Sequence, residues 1–261
     1  MTKTFTVLSY FTMLLSALPI LHADDVTPSQ YEIAVKQTEA APGFRNLQYI
    51  GLAFHTYHDI FGRFPPAVSY SPDGKTPHSW RVELLPMLRQ FSDRVDIGPD
   101  LSDRVKYDAA IRACGYDVNQ PWDSESNRAI LNDMPAVYRH PGDDPESHNS
   151  AFYAIVGGGT AFDPNAVTQY KDYSEPWLNN TLLVVESRSR APWTKPVDIA
   201  YSPDSVVPRF GGFTPDGFQT VSCDGAVHFV PHIVETDAIR GYITTTMDDS
   251  FSIPGIPFQF D

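Results

Sequence analysis

The chain has 261 residues, 42% of them hydrophobic, with 23 prolines and 16 glycines. That is enough apolar material for one good core or two small ones, and too many loop-forming residues for a plain helical bundle. Its 32 acidic against 19 basic residues give a formal net charge of −13, which argues against nucleic acid as a partner, because phosphate binding needs clustered Lys and Arg.

Met1-Thr2-Lys3 is a short basic start, Phe5–Leu15 is apolar, and Ala23 is a small residue ahead of Asp24-Asp25. This is the pattern of a signal peptide over residues 1–23, removed after Ala23. The alternative is an uncleaved inner-membrane anchor over residues 4–21, near the short limit for a span and interrupted by Pro19. Under both readings the protein is exported, periplasmic or extracellular. A helical segment follows within residues 24–43, with Thr27 as N-cap and Pro28 in the first helical position. Ala41-Pro42-Gly43 breaks it.

The stretch "RNLQYIGLAFHTYHDIFGRFPPA", Arg45–Ala67, has the spacing of an amphipathic helix. Leu47, Ile50, Phe54, Tyr57 and Phe61 form one apolar stripe, with His58 inside it and His55 on its flank. The two histidines lack a third ligand and the H-E-x-x-H spacing of a zinc site, so packing is the expected role. Gly62 ends the helix and Pro65-Pro66 forces extended backbone. "SPDGKTPH" is expected to be a loop with a turn at Asp73-Gly74. "HSWRVELLPMLRQF" starts a helix at Ser79, and Pro86 must kink or restart it. Ser92–Gly115 reads as irregular or helical. "QPWDSESNRAILNDMP" gives a short helix capped by Asp123 or Ser124. The second half differs: "AFYAIVG", "TLLVVES", "GFQTVSC" and "AVHFVPH" are strands, and Asp224-Gly225 is a hairpin turn between the last two. "ETDAIRGYIT" is a closing helix, and residues 247–261 form an extended tail. A helix-rich half before a strand-rich half is an α+β fold: a loop-rich chain whose N-terminal helix packs on an antiparallel sheet.

Chemistry-bearing motifs are few. No nucleophile elbow, P-loop or dinucleotide fingerprint occurs, and the Gly-rich "VGGGTAF" reads as a strand end. "RHPGDDPESH" offers His140, Asp143, Asp144, Glu146 and His148, and calcium is the ion such a loop would take. Cys114 and Cys223 leave one disulfide or two thiols open. Glu186 ends an apolar strand, so its carboxylate needs a partner, and Arg81 is the candidate. Trp80 and Arg81, Trp122, Asp123 and Asn127, Glu186, and Asp224 with Gly225 all stand at element ends. They are read as a structural polar network or a ligand site, with no catalytic, cofactor-binding or metal residue among them.

The order of these blocks resembles the DUF1559 family, a bacterial family of unknown function also labelled as solute-binding. The matching segments are "RNLQYIGLAFHTYHDIFGRFPPA", "SWRVELLPMLRQ", "QPWDSESN", "MPAVYRHPGD", "TLLVVES", "APWTKPVD" and "GGFTPDGFQTVSCDGAVHFV". They run from about Arg45 to Thr246, marking a domain over residues 44–246. The resemblance implies a pseudopilin-like architecture, a long N-terminal helix over an antiparallel sheet. The chain departs from the family in lacking the prepilin leader, in having His140 where Cys is usual, and in having Thr214 where His is frequent. The expectation is an exported, non-enzymatic module acting through protein or envelope contacts, with no cofactor. Membrane association would follow only if the signal stays uncleaved. The alternative is a periplasmic protein binding a small ligand or calcium.

Overall fold

The computed structural model describes residues 41–93, 101–165, 181–232 and 236–244. The expected signal peptide, the expected helix from Thr27 to Ala40 and the expected extended tail over 247–261 lie outside these residues.

Helix α1, Phe44–Phe61, is built by its apolar spacing. Leu47, Ile50, Gly51, Ala53, Phe54 and Tyr57 are buried along one face. Gly62 stops it in the left-handed region at φ 67°, and its amide donates to the His58 carbonyl. His55 and His58 are half-buried beside this stripe rather than in its centre. Their rings pack edge-on against Phe64, at centroid distances of 5.7 and 5.5 Å.

The segment expected to be a loop is a hairpin: β1, Val68–Tyr70, pairs antiparallel with β2, Pro77–Ser79. Asp73 closes its turn, accepting from the Ser71 hydroxyl and the Lys75 amide. Three-residue strands carry too little periodicity to be read from sequence. Ser79 then caps α2, Trp80–Glu83, and Leu84 separates it from α3, Leu85–Asp93. Pro86 falls in the first turn of α3, where its missing N–H costs nothing. Helix α4, Arg104–Ala113, is capped by Asp103, and α5, Glu125–Ala129, by Ser124. Short 3-10 turns follow at Ile130–Asp133 and Ala136–Tyr138.

The main sheet holds β3 (Phe152–Val156), β4 (Leu182–Glu186), β5 (Ile199–Ala200), β6 (Gly217–Ser222) and β7 (Val227–Pro231). Its five strands run in the order β5-β3-β4-β6-β7. All neighbours are antiparallel except β3 and β5, which run parallel, so the sheet is mixed rather than purely antiparallel. The two-residue β5 follows a Pro-rich loop and shows no strand pattern of its own. Every residue of β4 and β6 is buried, because both sheet faces are covered. Helix α1 packs on β6 and β7. A second apolar cluster joins Leu182, Val185, Phe218 and Val230 to Tyr242 and Ile243 of the closing helix α6, Thr236–Ile243. The architecture is therefore α+β. Among the described residues no helix is long and apolar enough to cross a membrane. Cys114 and Cys223 are thiols and do not form a disulfide.

Candidate functional site

Trp80 and Arg81 open α2, and the fold draws both into the core, with Trp80 fully buried and Arg81 1% exposed. The Arg81 guanidinium donates to the Ser79 hydroxyl (3.0 Å), the Ser150 hydroxyl (3.0 Å), the Phe152 carbonyl (2.7 Å) and Asp198 (2.9 Å). It also lies over the rings of Trp80 and Tyr153, 4.5 and 4.8 Å from their centroids. Asp198 in turn accepts from the Trp80 indole (3.0 Å) and the Ala154 amide (2.8 Å). Burial pushes the Asp198 carboxyl above its ordinary range, while Arg81 and these donors pull it back. All three donors meet the same carboxylate oxygen, Oδ1, and the Arg81 charge beside it is what offsets the burial of Asp198.

The expected pairing of Arg81 with Glu186 is therefore corrected. Glu186 is the register partner of Phe152, so Arg81 reaches the strand beside it. The Glu186 carboxylate instead accepts from the backbone amides of Gln219 (3.3 Å) and Phe213. Its main-chain carbonyl takes the Gly211 amide at 2.6 Å. Glu186 thus holds the loop from Gly211 to Phe213, by its main-chain carbonyl at one end and its carboxylate at the other. Burial raises the Glu186 carboxyl to about 7, with the two amides opposing. His140 stands 3.9 Å away, pushed down to about 4 by burial. The Gly142 amide donates to its Nδ1, so its remaining proton sits on Nε2, facing Glu186. At neutral pH the contact is not an ion pair, because the imidazole is uncharged.

The other nominated residues lie elsewhere. Asn127 is fully buried and staples one turn: it accepts from the Asp117 amide and donates to the carbonyls of Asp117, Gln120 and Pro121. Asp123 is exposed and does not cap α5, since Ser124 takes that place and accepts from the Asn127 amide. Trp122 is half-buried, with the Lys195 ammonium 5.6 Å from its ring centroid. Asp224 accepts from the Ser222 hydroxyl and the Ala226 amide, holding the β6–β7 turn. Gly225 has φ 87°, and a Cβ there would come within 3.1 Å of the His55 ring. The hairpin tip and α1 thus meet at a glycine that no other residue replaces without strain.

Beside the end of β4 an open groove of about 1000 Å³ is walled by Ser187, Arg188 and Ser189 on one side and the segment 207–215 on the other. Arg188 lies over the Phe213 ring at 5.0 Å, and Phe213 stacks on His140 at 4.2 Å. In the acidic loop, Asp144 bonds the Glu146 amide. Among the described residues no three His, Cys, Asp or Glu side chains gather as a metal site would need.

The structure thus joins Trp80 with Arg81 and Asp224 with Gly225, and keeps Glu186 and Asn127 in separate pockets. Sequence reasoning missed Asp198, although it closes the quoted "APWTKPVD" block. It also missed Arg188 and Arg209, although Ser187-Arg188-Ser189-Arg190 is a basic alternation in an acidic chain.

The family model described as "Protein of unknown function (DUF1559)" matches residues 44–184, more than half of the 261-residue chain. No curated protein and no solved structure matches it.

Proposed function

The chain belongs to the DUF1559 family of proteins of unknown function, and on that premise we propose that it is an exported, non-enzymatic module of pseudopilin-like design that works through protein contacts in the cell envelope. The observation that carries this reading is the state of the family-type polar residues. Arg81, Asn127 and Asp224 spend their hydrogen bonds on backbone and immediate neighbours. None of them converges with a base, nucleophile or oxyanion donor, as an active site requires. The pseudopilin likeness is supported by α1 lying against β6 and β7. Export is supported by the basic, apolar and small-residue order of residues 1–23.

A second reading, a periplasmic small-ligand binder, draws on the groove beside Glu186. Its volume of about 1000 Å³ is at the upper end for a ligand pocket.

The test is native electrophoresis of gently solubilised envelopes from the cell of origin. The module reading expects the processed chain, starting at Asp24, in a complex heavier than one copy. A free single chain in every fraction would contradict it.

A further inference from the structure

The groove at the end of β4 is cationic on an acidic chain. Among the described residues its lining includes Arg188, Arg209 and His232 and no Asp or Glu, although acidic residues outnumber basic ones 32 to 19 in the sequence. Both arginines are exposed. Among the described residues neither has a carboxylate within ion-pair distance. Arg188 is held in place: its chain runs along Gly212, its guanidinium lies over Phe213, and it donates to the Gly212 carbonyl at 3.3 Å. Gly212 has φ 103°, a backbone conformation that favours glycine, and Arg188 packs against it at ordinary contact distance.

The groove also has an apolar wall, with Val207, Phe210 and Phe213 in its lining. Val206, next in sequence to Val207, is 87% exposed. Two guanidiniums in one groove with an apolar wall fit a ligand that carries both carboxylates and hydrophobic groups.

We propose that this groove binds an acidic peptide segment of a partner protein, the arginines taking its carboxylates and the wall of Val207, Phe210 and Phe213 its apolar side chains. The inference rests on the reading of this chain as a protein-contact module. A peptide fits better than nucleic acid or an anionic membrane. Those partners extend beyond the groove and would meet the repulsion of a chain with net charge −13. A short segment senses only the groove, because charges farther than about 10 Å are screened.

The experiment is fluorescence anisotropy with the whole chain and a blocked, labelled peptide of alternating Glu and Phe, set against a twin with Gln for Glu. The proposal expects saturable binding to the first peptide, weakened by salt. It expects a loss of about tenfold or more with the Gln twin and with Arg188→Glu/Arg209→Glu. The melting temperature of that variant should stay close to the wild type, since both side chains are exposed and Arg188 gives up only a surface stack and one 3.3 Å hydrogen bond. If it does not, Arg209→Gln alone serves, with a smaller loss in the same direction. No binding, equal binding of the twin, or full displacement by a few equivalents of acetate would overturn the proposal. So would sedimentation showing that the wild-type chain dimerises and the charge-reversed chain does not, because the occupant would then be a second copy. An envelope complex that survives the charge reversal defeats this inference and leaves the module reading standing. The absence of a complex with the wild-type chain defeats the module reading itself.

Discussion

Arg81 and Asp198 lie 117 residues apart in sequence and meet at 2.9 Å in the core, their side chains 1% and 4% exposed. The pair ties the start of α2 to the segment leading into β5, and through Phe152 and Ala154 it holds both to β3. The signature "SWRVELLPMLRQ" is thus a structural instruction: its Trp and Arg both bond the same carboxylate.

Asn127 makes four hydrogen bonds that no other side chain of its size reproduces at this turn. Asn127→Ala leaves one amide and three carbonyls without that partner. The expected loss is about 1–3 kcal/mol, read from urea unfolding. Asn127→Asp should cost a similar amount, because a carboxylate cannot donate to carbonyls. Unchanged stability in both would show that the turn holds itself.

Gly225→Ala meets two penalties: a left-handed backbone and the His55 ring. A loss of about 1–2 kcal/mol is expected for the backbone alone. Combining it with His55→Ala should recover only the steric share, so the double variant loses less than the two singles together. Strict additivity would mean that α1 does not bear on the hairpin tip.

The carboxyl of Glu186 gives stability a pH dependence of definite sign. Its folded value of about 7 exceeds its ordinary value of 4.5. Between those values the folded state holds more protons than the unfolded chain, so stability falls as pH rises from about 4.5 to 7. His140 opposes it: its folded value of about 4 lies below its ordinary 6.5, so its contribution grows as pH rises through that window. Chemical unfolding at several pH values should therefore show wild type losing ground to Glu186→Gln from pH 4.5 to 7, then running parallel. A constant difference over that range would show that Glu186 titrates normally.

Much of this fold was legible because its elements announce themselves. The stripe from Leu47 to Tyr57, the apolar runs of β3, β4 and β6, and the Asp-Gly turn before β7 all carry the periodicity of their final structure. What escaped was short or non-local. The β1–β2 hairpin and β5 are too brief for a pattern, and β5 exists only because β3 offers an edge. The partner of Arg81 could not be chosen from sequence. Glu186 at the end of an apolar strand and Asp198 at the end of a Pro-rich loop are both carboxylates in want of a cation. Strand register decides between them, because Glu186 faces Gln219 and Asp198 faces Arg81. The groove was hidden for a different reason: its arginines come from two loops that only folding brings to one groove.

The central claim is that the signature residues hold the scaffold and carry no chemistry, and a double-mutant cycle on Arg81 and Asp198 in urea unfolding tests it most directly. Arg81→Ala and Asp198→Ala should each lose about 3–5 kcal/mol, because each leaves the other charge buried alone. The double variant should lose little more than either single, giving a large coupling energy. Small, additive losses, with both variants stable yet absent from the envelope complex, would contradict the account and place a functional site at Arg81.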